Sequence, residues 1–511
     1  MAVEAKLTTL RPLMLSRWGV VFAATAVLGV ALRVWVYRST SGTPDADEAV
    51  WGLMARHFGG GELTTFFWGQ AYGGTQEVVL TTPVFWIAGS NWLALRLVPI
   101  VLSAVAALLV WLVGRRTLGE PAAAVAAGVF WIWPPFNVFF LTHQAGFYAS
   151  NVVYCALVLL LALRVVERPD RARVSLLGLV LGLAFWQTAQ IVPVAVGVIA
   201  WTIWKETRSL RHLWAAAIAA CVGALPWIVW NARHGWESLE LGGHGQPLQS
   251  LRFLVSPSLP MITGLRAPFS TELLLPAALT YLIYVALVAL FVYGAYRARH
   301  RTASLLYVVV AMFPLVFALS PKTILALGRP RYLVVLTPLL ALLFAQFATR
   351  FSRAVAVLAV AATVSVVTLY RMDEWFRATP GRVTHEQGLG PRRAAQWVPR
   401  DLSGLVSTLD RLGINRVYAD YWLAYRLTFD TRERIIATEN FLDEVNVDGG
   451  QATPPTNTDA RYPPYEREVR EARHAFVFYR PTVDSVPIVP RLERLGYRRI
   501  PVDSFVVYAP T

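Results

Sequence analysis

The chain has 511 residues, 56% hydrophobic and 15% charged, with a mean hydropathy of +0.47, which excludes an ordinary soluble protein. The net charge of +15 does not indicate a nucleic-acid partner. Its excess lies among the apolar segments: residues 1–370 contain 27 Lys and Arg and 13 Asp and Glu, whereas residues 371–511 contain 20 and 19. Cys155 and Cys221 both lie in apolar segments and predict no disulfide framework.

The first apolar segment begins beside Arg11 and Arg17 and lacks the small-residue cleavage site of a removable signal peptide, so we expect a retained membrane anchor. Later apolar runs of similar length predict about 11 transmembrane helices in total. The two runs beside Gln190 are short enough to form one broken span. In that case the inside–outside orientation of every later segment would be inverted. The runs cover residues 10–36, 92–114, 121–141, 147–166, 174–189, 191–204, 213–230, 273–296, 304–319, 332–348 and 354–370.

Basic residues alternate with these runs. If the N-terminus is cytoplasmic, every inner loop is basic, as the positive-inside rule requires. The outer loops are poorer in Lys and Arg, except for 321–331, which contains Lys322, Arg329 and Arg331. This orientation places residues 38–91, here called the first loop, on the outer face. The inner-loop residues are Arg115, Arg116, Arg164, Arg168, Arg171, Arg173, Lys205, Arg208, Arg211, Arg297, Arg299, Arg301, Arg350 and Arg353.

After residue 370 the apolar runs end. We expect a linker at 371–400 and, at 401–511, a small extracytoplasmic α/β domain, here called the C-terminal domain, because short strands and helices alternate there. It has no glycine-rich phosphate loop, metal-ligand cluster or nucleophile elbow, so its expected role is structural or acceptor-binding. Its predicted helices are 402–412 and 421–429, its predicted strands 415–419, 434–438, 474–479 and 504–508, and its predicted loop 451–464.

Acidic residues on the outer face concentrate in the first loop. Of eight acids placed outside before residue 371, five lie there: Asp45, Asp47, Glu48, Glu62 and Glu77. Apolar residues at helical spacing follow Glu48, so a helix is predicted to start at this point. Asp45 or Asp47 could therefore simply cap that helix, with Glu48 favouring its positive end. Alternatively, a carboxylate held there could act as a general base.

Two short motifs carry a family resemblance. The Asp47-Glu48 pair after the first span, and Gly-Arg-Pro-Arg-Tyr-Leu-Val-Val-Leu-Thr-Pro from Gly328 to Pro338, resemble the glycosyltransferase C superfamily. The resemblance is to its protein O-mannosyltransferase and aminoarabinose-transferase-like group (glycosyltransferase family 39-like). It implies a polytopic α-helical membrane domain, residues 1–370, followed by a hydrophilic C-terminal domain.

The resemblance also implies an activity. A sugar would pass, with inversion, from a polyprenyl-phosphate donor to a hydroxyl group of a glycan, lipid or protein acceptor at the outer face of the cell membrane. Asp47 matches the catalytic carboxylate, Glu48 its partner, and Arg331 and Tyr332 the element near the donor phosphate. Lys322, Arg329 and Arg331 form a dense outward cation cluster suited to a lipid phosphate, with snorkelling at span ends as the alternative.

Other residues are weaker candidates for substrate contact. The segment from Phe66 to Gly74 contains Gln70 and Tyr72, and its aromatic rings could stack on sugars or lie in the membrane-interface belt. The outer loop at 141–148 offers only His143 and Gln144, and a lone histidine is more often a hydrogen-bonding surface residue.

Two questions about function stay open at the level of the sequence. Asp45-Ala-Asp47 mimics a metal-binding Asp-x-Asp, but two carboxylates without a third ligand predict no metal or other cofactor. A lipid or solute transporter is the alternative function. It should carry buried charges or broken helices near mid-membrane, and the sequence of these spans shows almost none.

Overall fold

The structure is a computed structural model that describes residues 17–240, 247–266, 273–319, 330–348, 350–378, 399–439, 444–448, 451–458 and 460–511. Helices dominate up to residue 378, since a helix satisfies its own backbone hydrogen bonds within lipid. They are α1 Arg17–Arg38, α2 Ala46–Gly59, α3 Gln76–Ala88, α4 Trp92–Thr117, α5 Glu120–Ile132, α6 Pro135–Phe140, α7 Tyr148–Glu167, α8 Arg171–Gln187, α9 Val192–Lys205, α10 Leu213–Gly223, α11 Leu225–Arg233, α12 Pro247–Phe253, α13 Leu259–Ile262, α14 Ala277–Ala298, α15 Ser304–Leu319, α16 Thr337–Ala345 and α17 Phe351–Ala378.

Five of the described helices are long and apolar enough to cross a membrane: α1, α4, α7, α14 and α17. The pair formed by α10 and α11 is bent by 64° and would make a sixth crossing if it is one broken span. Shorter apolar helices cover Glu120–Ile132, Ala189–Lys205, Ser304–Leu319 and Arg331–Ala345. The polytopic helical class is therefore confirmed, and the count of about 11 spans stays a prediction.

Two glycines let α8 lie directly against α10. A Cβ atom at Gly178 would stand 2.2 Å from the carbonyl oxygen of Ala216, and one at Gly182 would stand 2.0 Å from that of Ala220. Small residues four positions apart commonly allow such close approach between membrane helices. At the predicted break beside Gln190, α8 and α9 are separated by a short 3-10 turn, Ala189–Ile191.

The C-terminal domain has the predicted α/β character. Its five-stranded sheet has the order β2-β1-β5-β7-β6, with β1 parallel to β2 and β5, and β7 antiparallel to β5 and β6. A separate antiparallel hairpin joins β3 and β4. The elements are α18 Ser403–Arg411, β1 Arg416–Ala419, α19 Tyr421–Asp430, β2 Ile436–Glu439, β3 Asn446–Asp448, β4 Gln451–Thr453, α20 Pro463–Glu471, β5 Ala475–Tyr479, α21 Val489–Arg494, β6 Arg498–Val502 and β7 Phe505–Ala509.

The C-terminal domain packs on the first loop. One hydrophobic cluster contains Leu53, Met54 and Phe85 of the first loop together with Leu423 and Phe429 of the domain. Within it, α19 lies against α2, the helix whose first turn carries Asp47. The site around Asp47 is therefore bounded by both parts of the chain.

Candidate functional site

Asp45 and Asp47, two neighbouring carboxylates at the start of α2, occupy different positions and make different contacts. Asp45 precedes the helix in an extended conformation, and its Oδ1 accepts a hydrogen bond from the Glu48 backbone nitrogen at 2.8 Å. Asp45 is thus the N-cap, as the capping alternative predicts. Asp47 lies in the first helical turn and is half-buried. The Asp45-Ala-Asp47 motif therefore does not act as one unit.

Glu48 forms a buried ion pair with Arg96. Its two oxygens accept from Arg96 Nε at 2.7 Å and Nη2 at 2.6 Å, and both side chains are 1% exposed. Arg96 also donates to the carbonyl of Gly42 at 2.9 Å, and the Gln144 backbone nitrogen donates to Glu48 at 3.1 Å. Burial favours the neutral acid, but the charge of Arg96 and these donors lower the pKa of Glu48. The observed contacts are structural, and a catalytic role for Glu48 stays a prediction.

Glu77, in the first turn of α3, is buried and bound by residues of the 141–151 segment. It accepts hydrogen bonds from Gln144 Nε2 at 2.8 Å and from Ser150 N and Oγ at 2.9 and 2.7 Å. His143 lies in the same buried region, within electrostatic range of Glu48, and its Nδ1 is 2.9 Å from the Phe139 carbonyl oxygen. His143 is only 5% exposed, so the expectation of a surface histidine is wrong.

Asp47 meets the C-terminal domain. The Tyr421 hydroxyl donates a hydrogen bond to Asp47 Oδ1. Burial and the adjacent Asp47 charge raise the pKa of Tyr421, which keeps its phenol protonated and able to donate. The Arg461 guanidinium lies 5.4 Å from the centre of the Tyr421 ring and interacts electrostatically with Asp47. In the orientation that satisfies its neighbours, the Gln70 amide oxygen accepts from Arg461 at 2.8 and 3.1 Å.

Arg331 is a second cation within electrostatic range of Asp47. It interacts electrostatically with Asp47, Tyr148 and Tyr332, and its guanidinium is 5.4 Å from the Tyr332 ring centre. Tyr72 is within electrostatic range of both Asp47 and Arg331. The structure thus gathers five residues that the sequence selected: Asp47, Gln70, Tyr72, Arg331 and Tyr332. Lys322 and Arg329 lie outside the described residues.

Three aromatic rings of the first-loop turn are buried in the protein rather than exposed to a membrane surface. Phe66, Phe67 and Trp68 are 3%, 5% and 5% exposed, whereas Tyr72 is 52% exposed. The Trp68 ring stacks on Tyr462 of the C-terminal domain, with ring centres 4.0 Å apart, and Phe66 packs against Trp230 at 4.9 Å. These partners lie far along the chain, so the sequence of the loop alone cannot reveal the burial.

Sequence reasoning missed two residues of the site, Tyr421 and Arg461. Both come from the C-terminal domain, which carried no catalytic motif. The available signal was Arg461-Tyr462-Pro-Pro-Tyr465, in which a cation and aromatics interrupt a proline-rich loop. Among the described residues, no three His, Cys, Asp or Glu side chains gather into a group that could hold a metal ion.

A polar cleft opens beside this site. Its volume is about 1250 Å³, and it lies between the first-loop turn at residues 62–70 and C-terminal domain residues from Asp420 to Pro464. Tyr421 and Arg461 line it, so the cleft leads directly to the groups that contact Asp47.

Comparisons with known proteins agree with this architecture. A family model described as dolichyl-phosphate-mannose-protein mannosyltransferase matches residues 79–230. The crystal structure of ArnT from Cupriavidus metallidurans bound to undecaprenyl phosphate is similar at 15% identity with a TM-score of 0.56, and its apo structure at 14% with a TM-score of 0.59. Each alignment covers 96% of this chain and 97% of ArnT. No curated protein sequence matches significantly.

The chain therefore shares the overall fold of ArnT, which agrees with the predicted glycosyltransferase C-like architecture. With the family-model match, the predicted resemblance to the protein O-mannosyltransferase and aminoarabinose-transferase-like group is confirmed.

Proposed function

We propose that the chain is a membrane glycosyltransferase that moves a sugar from a polyprenyl-phosphate carrier to a hydroxyl acceptor at the outer face of the membrane. Three findings support this proposal: the glycosyltransferase C fold, the match to a mannosyltransferase family model, and the similarity to an ArnT structure that contains undecaprenyl phosphate.

One observation carries the choice of Asp47 as general base. Of the five carboxylates in the first loop, Asp45 caps α2, Glu48 pairs with Arg96, and Glu77 is fully buried. Glu62 is engaged by His57 at 2.7 Å and by the Tyr462 hydroxyl at 2.8 Å, away from Arg331. Asp47 is the carboxylate that adjoins Arg331, Tyr421 and Arg461.

The proposed reaction follows from these positions. Asp47 takes the proton of the acceptor hydroxyl while the acceptor oxygen attacks the anomeric carbon of the donor sugar. The bond from that carbon to the phosphate oxygen breaks, and the polyprenyl phosphate leaves. Arg331, with Tyr332 beside it, stabilises the negative charge on the leaving phosphate. In this proposal the base acts on one face of the sugar while the phosphate leaves from the other, so the transfer inverts the configuration of the anomeric carbon.

Tyr421 and Arg461 extend the site into the C-terminal domain. Tyr421 fixes the orientation of the Asp47 carboxylate through its hydrogen bond. Arg461, held by Gln70, balances the negative charge that would otherwise accumulate around Asp47. We propose that the domain lies on the outer side with the first loop, and that the N-terminus is cytoplasmic, from the distribution of basic loops.

The test is transfer by the purified protein. We expect the protein to move label from one member of a panel of radiolabelled polyprenyl-phosphate sugars, and Asp47→Asn to stop transfer without loss of folding or membrane insertion. Glu471→Gln, at an exposed acid on α20, is the matched control and should retain activity. Wild-type turnover in Asp47→Asn would exclude Asp47 as the base. Label that stays on every carrier would favour the transporter alternative.

A further inference from the structure

The polar cleft that leads to Asp47 has a strongly unbalanced lining. Four carboxylates, those of Glu62, Glu237, Asp420 and Glu439, face one guanidinium, that of Arg461. Arg461 is already engaged with Gln70 and with the surroundings of Asp47. Glu62 is paired with His57, and burial raises the pKa of Asp420 and Glu439. The cleft nevertheless disfavours anionic groups, because among its described lining residues Arg461 is the one cation and is already engaged, while Glu237 is an exposed carboxylate.

The remaining lining is built for hydroxyl groups. Thr64, Thr65 and Thr458 contribute hydroxyls, and Gln70 and Asn457 contribute amides. Glu439 Oε1 accepts from the Arg461 backbone nitrogen at 2.8 Å, and the Tyr425 hydroxyl also interacts with this carboxylate. Oε2 makes no hydrogen bond of good geometry within the described part of the chain, so a ligand hydroxyl or ammonium would find an open acceptor there.

The position of the cleft fits an acceptor rather than a donor. It is bounded by the first-loop turn, Trp230 and the C-terminal domain, whereas Arg331 and Tyr332 do not line it. Tyr421 forms part of its wall and donates a hydrogen bond to Asp47, so one wall of the cleft adjoins the proposed base.

We propose that this cleft binds a carbohydrate acceptor that is neutral or carries amino groups, and that it excludes acceptors bearing phosphate or carboxylate. The inference rests on the proposed function and adds the substrate class. In the reaction, the acceptor oxygen forms its bond to the anomeric carbon, the bond to the carrier phosphate breaks, and the acceptor proton passes to Asp47.

The acceptor class is tested with full-length protein in nanodiscs and the radiolabelled donor that the panel selects. The acceptors are neutral, amino and phosphorylated oligosaccharides of equal length, together with an uncharged threonine-containing peptide. We expect label on the neutral or amino saccharides and none on the phosphorylated ones. Equal or better labelling of the phosphorylated saccharides or of the peptide would overturn the proposal, and so would a failure to label any saccharide.

Two variants connect that result to the cleft. Glu439→Gln should raise the KM for the saccharide acceptor about tenfold, because a hydrogen bond to a charged group is lost, and leave the KM for the donor unchanged. Glu237→Lys, at an exposed position that tolerates substitution, should lower discrimination against the phosphorylated saccharide. Glu471→Lys makes the same charge change outside the cleft. It should alter neither the KM for the saccharide acceptor nor the discrimination against the phosphorylated saccharide. Unchanged acceptor selectivity in Glu237→Lys would contradict the assignment.

The experiment separates two kinds of failure. If label never leaves the carrier, even to water, the proposed glycosyl transfer itself is wrong. If label passes to water, peptide or an anionic saccharide, transfer stands and only the acceptor class is wrong.

Discussion

Tyr421 of the C-terminal domain donates a hydrogen bond to Asp47, which lies 374 positions earlier in the chain. If this bond orients the general base, Tyr421→Phe should lower kcat about tenfold or more, the usual effect of losing a hydrogen bond to a charged group. The KM for the donor should not change. The measurement is steady-state transfer, with Tyr293→Phe, on the exposed face of α14, as control. An unaltered kcat would remove Tyr421 from the mechanism.

The Glu48–Arg96 ion pair should contribute mainly to the stability of the fold, not directly to catalysis. Both are buried, and removing one partner leaves an uncompensated charge, which costs about 3–5 kcal/mol. Arg96→Met should therefore lower the thermal unfolding midpoint sharply, and Glu48→Gln combined with Arg96→Met should recover much of the loss. If Glu48→Gln instead abolishes transfer while the unfolding midpoint is unchanged, Glu48 has a catalytic role.

In the C-terminal domain, the sequence predicted the buried strands but missed β6, one of the two edge strands of the sheet. The Ala475–Tyr479 and Phe505–Ala509 strands are apolar throughout and buried, which makes them recognisable. The edge strand Arg498–Val502 was missed, because its exposed arginines and Pro501 are typical of an edge and break the strand pattern. The predicted loop at 451–464 is partly wrong, because it contains the strand Gln451–Thr453 and the first two residues of α20, Pro463 and Pro464. The rest of α20 was not predicted, although proline is favourable at the first turn of a helix.

The same limit applies to the site. The gathering of carboxylates after the first span and the unusual basic residues of an outer loop drew attention to these segments, and the family resemblance then selected Asp47 and Arg331. Tyr421 and Arg461 could not be selected, because only tertiary packing brings them to Asp47: α19 packs on α2, and Arg461 contacts the first-loop turn at Gln70. The structural roles of Asp45 and Glu48 could be assigned only from the structure, which shows the N-cap hydrogen bond of Asp45 and the ion pair between Glu48 and Arg96.

His57 makes domain docking dependent on pH. Its ring nitrogens lie 2.7 Å from Glu62 and 3.0 Å from Glu433, with the Tyr465 hydroxyl at 3.1 Å from Nε2 and Arg56 also facing Glu433. Burial opposes the charged imidazole, but the hydrogen bonds and charges of both carboxylates outweigh it and raise the pKa of His57. Burial likewise opposes ionised Glu433, yet His57 and Arg56 lower its pKa.

The pKa shifts of His57 and Glu433 define a pH range in which docking of the C-terminal domain on the first loop is most stable. The His57 contribution is complete below its ordinary pKa and is lost as pH rises through the raised folded value. The Glu433 contribution is complete above its ordinary pKa and is lost as pH falls through the lowered folded value. Docking should therefore be strongest from roughly pH 4.5 to 6.5. Hydrogen exchange of the α19 amides should show this maximum, and His57→Gln should flatten its alkaline side. An unchanged profile in His57→Gln would contradict this role.

Gly52 sets the distance between the first loop and the C-terminal domain. A Cβ atom there would lie 2.3 Å from the Phe429 ring, so Gly52→Ala forces this ring to shift, and we expect α19, which carries it, to move away from α2. Overpacking of this kind costs about 1–3 kcal/mol and should reduce transfer by moving Tyr421 away from Asp47. Phe429→Leu combined with Gly52→Ala should restore part of the activity. If Gly52→Ala retains full transfer, close packing of α19 on α2 is not needed for catalysis.

Arg331 should act on the donor alone. Its guanidinium is the cation that adjoins Asp47 and Tyr332, and it can engage a phosphate through two parallel hydrogen bonds. Arg331→Ala should raise the KM for the polyprenyl-phosphate sugar by about tenfold or more, as expected for losing a charge-assisted contact. Arg331→Lys keeps the charge but not the paired geometry, so it should recover only part of the affinity. Arg353→Ala, at the exposed start of α17, removes the same charge at a predicted inner loop and should leave the KM unchanged. Equal donor affinity in wild-type and Arg331→Ala protein would assign Arg331 to membrane anchoring instead, because snorkelling requires no contact with the donor phosphate.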